Sequence, residues 1–127
     1  MQEPVRVTGM VLEVSPLGET DRRVVLLTKE RGKISAFARG ARKQGSRLMA
    51  ATNPFCFGEF ILYEGRNSYS LSEAVIRNYF EDMRMHFEEA CYGMYFLELM
   101  DYYTRENNDE REMLLLLYQS LRALLHT

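Results

Sequence analysis

Cysteine and histidine are scarce in this sequence of 127 residues, with two of each. Cys56 and Cys91 lie far apart, no C-x-x-C is present, and the histidines are His86 and His126. A structural zinc site needs about four such ligands at tight spacing, so no metal is expected. Both cysteines read as reduced, buried, small apolar residues. Long apolar runs are lacking too. The longest, Met113–Tyr118, is far shorter than the roughly 20 residues that cross a bilayer. The opening Met-Gln-Glu-Pro-Val-Arg has no basic stretch followed by an apolar one. No secretory leader and no membrane partner are therefore expected, and a cytoplasmic location follows by default. Catalytic motifs are missing as well: there is no G-x-S-x-G, no phosphate-cradling Walker loop and no dinucleotide fingerprint. His86 reads as a helix-surface residue. The expectation is a protein without catalytic residues or cofactor, not an enzyme.

What is present is ordinary for a globular chain: 46% hydrophobic and 27% charged residues. The length suits one compact domain, or a small domain and part of another. The net charge of −2 hides an asymmetry. Residues 1–80 hold twelve Lys/Arg against eight Asp/Glu, whereas residues 81–127 hold four against ten. An anionic partner would meet the first half.

That first half has the texture of β-structure. Val5–Val14 is rich in β-branched and apolar residues and ends at Ser15-Pro16-Leu17-Gly18, a turn signal. Asp21–Lys29 stops at Glu30-Arg31-Gly32, a hairpin turn with glycine where φ must be positive. Lys33–Arg39, Phe55–Tyr63 and Tyr69–Arg77 follow as strands three to five. Five short strands with a longer connection between the third and fourth form the pattern of an oligonucleotide-binding (OB) barrel. Another small barrel, of SH3-like type, fits the same pattern.

The third strand is the most informative. Side chains alternate across a strand, so Ile34, Ala36 and Ala38 suit a narrow interior. Lys33, Ser35, Phe37 and Arg39 then share the outer face. Cations neutralise phosphates and release counterions, and an exposed ring offers a base a stacking surface. Phe37 alone reads more readily as a ring packed under a loop, because aromatic residues are more often core than platform. The strand runs into Gly40-Ala-Arg42-Lys43-Gln-Gly-Ser-Arg47. With Arg39 this makes four cations in nine residues, with no acidic residue. Like charges so close repel, and a polyanion relieves that cost; the alternative is a flexible solvated loop. Arg22, Arg23 and Arg66 either extend the patch or are plain surface. Glu19 and Asp21 share one face of an extended chain but lack a third ligand. They read as a turn cap, or as partners of nearby cations.

From Glu81 the period becomes helical. Met83, Phe87, Ala90, Met94 and Leu97 fall on one stripe. After a break at Thr104–Asn108, Asp109 stands three residues before Glu112, a capping-box-like start. The second helix carries Met113, Leu114, Leu116, Leu117, Leu121, Leu124 and Leu125, an apolar surface wider than one partner helix needs. With no Gly or Pro stop signal after it, the expectation is a chain cut, or ending, inside a helical domain.

These residues resemble a known family. Glu19-Thr-Asp-Arg-Arg-Val-Val-Leu-Leu-Thr-Lys-Glu-Arg-Gly-Lys33, then Ala38-Arg-Gly-Ala-Arg-Lys43 and Ser46-Arg47-Leu48, are similar to the N-terminal signature of the RecO family. Pro54-Phe55, Tyr63 through Gly65-Arg66, and Tyr95-Phe-Leu-Glu-Leu-Met-Asp101 extend the match over essentially the whole chain. The resemblance implies an α+β protein, with an OB domain over residues 1–80 and the start of a helical domain over 81–127. It implies binding of single- and double-stranded DNA, strand annealing, and work with RecR to load RecA onto DNA coated by single-strand-binding protein. By position, Lys33, Phe37, Arg39, Arg42, Lys43 and Arg47 belong to the DNA-facing surface. Family members are about twice this long, and many carry a four-cysteine zinc module later in the chain, which is missing here. The docking site for single-strand-binding protein is then incomplete. The exposed apolar helices predict dimerisation or poor solubility. The competing reading is a protein-interaction adaptor, with the barrel as scaffold and the helices docked on a partner.

Overall fold

The computed structural model describes residues 3–126. The readings that rest on Met1 and Gln2, and on Thr127 as lacking a stop signal, lie outside the described residues. Five strands form a closed barrel: β1 (Val5–Leu17), β2 (Asp21–Thr28), β3 (Gly32–Ala38), β4 (Phe57–Glu64) and β5 (Tyr69–Asn78), in the order β1-β2-β3-β5-β4. The β3–β5 seam is parallel and short, Ala36 opposite Tyr69 and Phe37 opposite Ser70, and every other pairing is antiparallel. This is the OB barrel, and with the helices that follow it makes an α+β protein. The SH3-like alternative is set aside.

A short helix, α1 (Leu48–Ala51), lies between β3 and β4, and its Leu48 packs on the barrel core. Then come α2 (Glu81–Met85), α3 (Phe87–Tyr103) and α4 (Arg111–Leu125). Two apolar clusters hold these parts. The first fills the barrel and includes Val7, Val11, Val24, Leu26, Ile34, Ala36, Ala38, Phe60 and Leu62. Alternation on β3 is strict: Ile34, Ala36 and Ala38 are buried, and the odd positions are half-buried. Small alanines fit because opposite walls of a small barrel meet at its centre.

The second cluster lies outside the barrel wall. Met10 and Leu12 of β1 and Val25 and Leu27 of β2 pack under Phe55, Phe80, Met83, Leu97, Leu114, Leu117 and Leu121. A bulge between Val11 and Glu13 leaves Leu12 without a ladder partner on β2. Two strands are thus apolar on both faces over part of their length, and the helices cover the outward part.

The predicted helical stripe is only partly correct. Met83 and Leu97 are buried and Ala90 packs on the second cluster, but Phe87 is 83% and Met94 40% exposed. His86 is extended (φ −126°, ψ 106°), which separates α2 from α3 and turns the buried face. That face instead runs through Ala90, Gly93, Leu97 and Met100. Gly93 sits so close to the Phe55 ring that a Cβ there would stand 3.0 Å from it.

The capping box also differs. Glu110, not Asp109, occupies the N-cap of α4 and makes no side-chain cap bond. Its buried carboxylate accepts from Arg105 N–H (2.8 Å), closing the loop between α3 and α4. Asp109 Oδ1 accepts from Arg111 N–H at 3.3 Å.

Cys56 is buried as expected, whereas Cys91 is exposed on α3. The expectation for Cys91 fails because small size does not determine which side of a helix a residue occupies. No helix among the described residues is long and apolar enough to cross a membrane.

Candidate nucleic-acid interface

The segment after β3 is not a slack loop. Ala41 N–H donates to Ala38 O, Lys43 N–H to Gly40 O, Ser46 N–H to Lys43 O, and Met49 N–H to Ser46 O. Four overlapping turns thus carry the chain into α1. The segment is also tied sideways to the tip of the β1–β2 hairpin. Asp21 Oδ1 accepts from Gly40 N–H at 2.7 Å, and Arg42 N–H donates to Thr20 O at 2.8 Å. The Arg42 guanidinium donates through Nε to Asp21 O (2.9 Å) and through Nη2 to Gly18 O (2.5 Å). The Gly40 N–H bond is the main reason that the Asp21 carboxyl lies below its ordinary pKa; the Thr20 hydroxyl and the charges of Arg39 and Lys43 add to it. Of the two alternatives read for Asp21, holding a turn is the one its hydrogen bond makes, while the charges of Arg39 and Lys43 act on it without a direct ion pair. Among the described residues, no group of three or more His, Cys, Asp or Glu side chains is arranged to hold a metal ion.

The nine residues singled out from the sequence divide into three groups. Arg39, Lys43, Arg47 and Arg66 are exposed, and among the described residues no hydrogen-bond or ion-pair partner is found for their side chains. Three of these four belong to the ordered turns. Arg66, in the β4–β5 loop, lines a cavity of about 170 Å³ with Ile34, Ser35, Ser68, Tyr69 and Asn107.

Arg23 and Phe37 form a second group on the outer barrel wall. They are directly opposite on β2 and β3, and Phe37 neighbours Ser70 on β5. Arg23 Nη2 donates to Ser35 Oγ at 2.9 Å, and Phe37 is half-buried rather than projecting.

The third group is engaged inside the fold. Arg42 holds the hairpin tip, as described. Arg22 Nη1 donates to Met49 O and Thr52 Oγ1, both at 2.9 Å, joining the hairpin to α1. Lys33 Nζ donates to the carbonyl and the carboxylate of Asp101 on α3, at 2.5 and 3.1 Å. The outer face of β3 is thus divided. Its Lys33 end meets the acidic helical layer, whereas Phe37 lies opposite Arg23, and Arg39, expected on the strand, falls just beyond it in the turn that follows.

Sequence reasoning could not separate free cations from engaged ones, because Lys33 and Asp101 are 68 residues apart. It missed Asp21 as the organiser of the basic segment, although the carboxylate beside Arg22-Arg23 was the visible sign.

A small OB barrel with an ordered cationic segment at one end and a helical layer on one wall is the class that fold and site define. A family model described as Recombination protein O N terminal matches residues 1–80. The chain belongs to this family. It is similar to the DNA repair protein RecO of Alkaliphilus metalliredigens, 33% identical over 120 residues, which cover 94% of this chain and 49% of that protein. The DNA repair protein RecO of Clostridium novyi is 35% identical over 105 residues, covering 83% and 41%. That of Bacillus pumilus is 36% identical over 120 residues, covering 94% and 47%. The chain spans about half the length of the curated relatives it matches.

Proposed function

We propose that this chain is a DNA-binding portion of a recombination and repair mediator, and that it works without catalysis. The observation that carries this reading is the cationic segment itself. Arg39, Lys43 and Arg47 stand exposed on a backbone fixed by turns, so the chain has already lost the entropy that a flexible loop would lose on binding. Such cations attract phosphate and release counterions. Arg23, Phe37 and Arg66 extend the surface along the outer wall, with Phe37 as a stacking edge rather than an open platform. Lys33, Arg22 and Arg42 support that surface from within. Membership of a family whose named relatives are DNA repair proteins agrees with this chemistry. In this reading residues 1–80 are the OB unit and residues 81–127 begin a helical domain. Strand annealing, and work with RecR, RecA and single-strand-binding protein, are what the family resemblance implies for the whole protein, and this chain would serve them by holding DNA.

A second reading is favoured by one observation. Phe87, Tyr92, Tyr95, Tyr102 and Tyr103 on α3 are all more than half exposed, an apolar face suited to a protein partner or to self-association. The two readings use different parts of the molecule and are compatible.

The test is binding of a fluorescent single-stranded oligonucleotide across a salt series. Affinity is expected to fall steeply with salt. Arg39/Lys43/Arg47→Glu is expected to abolish most binding and to flatten the slope by about 0.7 for each phosphate no longer neutralised. Binding that ignores salt, or a triple variant that binds like the parent, rejects the reading.

A further inference from the structure

Asp21 presents an electrostatic puzzle. Among the described residues it is the one carboxylate bonded to the cationic segment, where by charge alone it should oppose a polyanion. Its bonding suggests another role. One oxygen accepts from Gly40 N–H, at a glycine whose φ of +67° begins the turn series. Its main-chain carbonyl accepts from Arg42 Nε, while Arg42 also spans to Gly18 O. Arg22, the next residue, anchors the same hairpin to α1 on its other side. The hairpin tip is therefore a strut, and the Gly40–Lys43 turn is fastened to it through one carboxylate, one guanidinium and the main-chain bond from Arg42 N–H to Thr20 O.

We propose that Asp21 and Arg42 are positioning residues for polyanion binding. They hold the segment so that Arg39, Lys43 and Arg47 act together, and they themselves touch no phosphate. This rests on the reading that the segment binds DNA. It reassigns Arg42, whose donors point at Gly18 and Asp21 instead of solvent, from contact to support. It also gives the negative charge a purpose: a carboxylate binds a main-chain N–H more strongly than a neutral acceptor does. For the positioning role to hold, the repulsion it adds toward DNA must be smaller than the gain from three pre-aligned cations.

Charge and position predict opposite signs, which makes the idea testable on the whole 127-residue chain. Asp21→Ala makes the protein more positive by one charge. If Asp21 is only an unfavourable charge, this variant and Asp21→Asn both bind single-stranded DNA more tightly than the parent. If Asp21 positions the segment, Asp21→Ala binds about fivefold more weakly or worse, with a shallower salt slope. Asp21→Asn, which keeps an oxygen for Gly40 N–H, recovers part or all of the loss. Amide exchange at Gly40 is expected to quicken in Asp21→Ala while amides of Val24 and Leu26 in the barrel stay protected, which separates loosening of the segment from unfolding.

Tighter or unchanged binding by Asp21→Ala, Asn no better than Ala, or Gly40 exchange like the parent's would each overturn the positioning role. Arg39/Lys43/Arg47→Glu is the control. Normal binding by that variant overturns DNA binding by the segment, whereas its failure combined with tighter binding by Asp21→Ala overturns the positioning role alone.

Discussion

Cys56 and Cys91 show how far residue type falls short of environment. Cys56 is buried at the barrel end, its Sγ 3.3 Å from Ala50 O, and burial pushes its thiol pKa up. Cys91 faces solvent. A thiol reagent is expected to label one site in the native protein and two only after denaturation, with Cys91 modified first. Rapid native labelling of Cys56 would contradict the barrel packing. Asp21 supplies the matching prediction in acid. Its carboxyl lies low chiefly because the ionised form accepts from Gly40 N–H. The stabilisation this gives is fully present above the ordinary carboxylate range and is lost as pH falls through the depressed folded value. The Gly40 amide signal is therefore expected to titrate in acid, below the range where an unperturbed aspartate titrates. A midpoint at or above that range would contradict the bond.

At the scale of elements, the strands were legible in the sequence because each carries its own evidence. Alternation on β3 and the glycine turns at Gly18 and Gly32 need no knowledge of distant residues. Ser15-Pro16-Leu17, however, read as the turn after a strand ending at Val14, instead continue β1 and pair with Arg23, Arg22 and Asp21, so that the chain turns only at Gly18–Thr20. The helices were legible as helices, but their buried sides were not. Gly93 lines a packed face although it has no apolar side chain to announce it, and Phe87 is exposed although its side chain suggested core. The candidate interface was legible as a cluster of charge, while its bonding was not, since Lys33 and Arg42 are engaged by residues far along the chain or by main-chain carbonyls. The β2–β3 turn illustrates the same dependence. Gly32 adopts φ +67°, and a Cβ there would collide with the carbonyls of Asn108 and Arg105. Gly32→Ala is expected to cost about 2 kcal/mol or more, read as a lower midpoint in chemical denaturation. A change below about 0.5 kcal/mol would mean that the α3–α4 loop does not press on this turn.

For the whole molecule, the shared outer cluster makes barrel and helices one cooperative structure. Met10, Leu12, Val25 and Leu27 are covered by Met83, Leu97, Leu114, Leu117 and Leu121 of α2, α3 and α4, together with Phe55 and Phe80. Ending the chain at residue 80 would expose these four together. The shortened protein is expected to aggregate or to bind a hydrophobic dye strongly, although every strand is retained. A soluble truncated form with a native-like cooperative melt would show that the cover is dispensable.

The β2–β3 turn and the Lys33 end of β3 are also joined to the loop following α3. Lys33 N–H donates to Arg105 O and Asn107 N–H to Arg31 O, both at 3.1 Å, alongside the Lys33–Asp101 pair. The same seven-residue strand leads at its other end into the cationic turns. It works as a bracket: a ligand lying along the turns and a partner gripping the helices would be held by opposite ends of one strand, so that a partner on one side would be aimed as well as tethered.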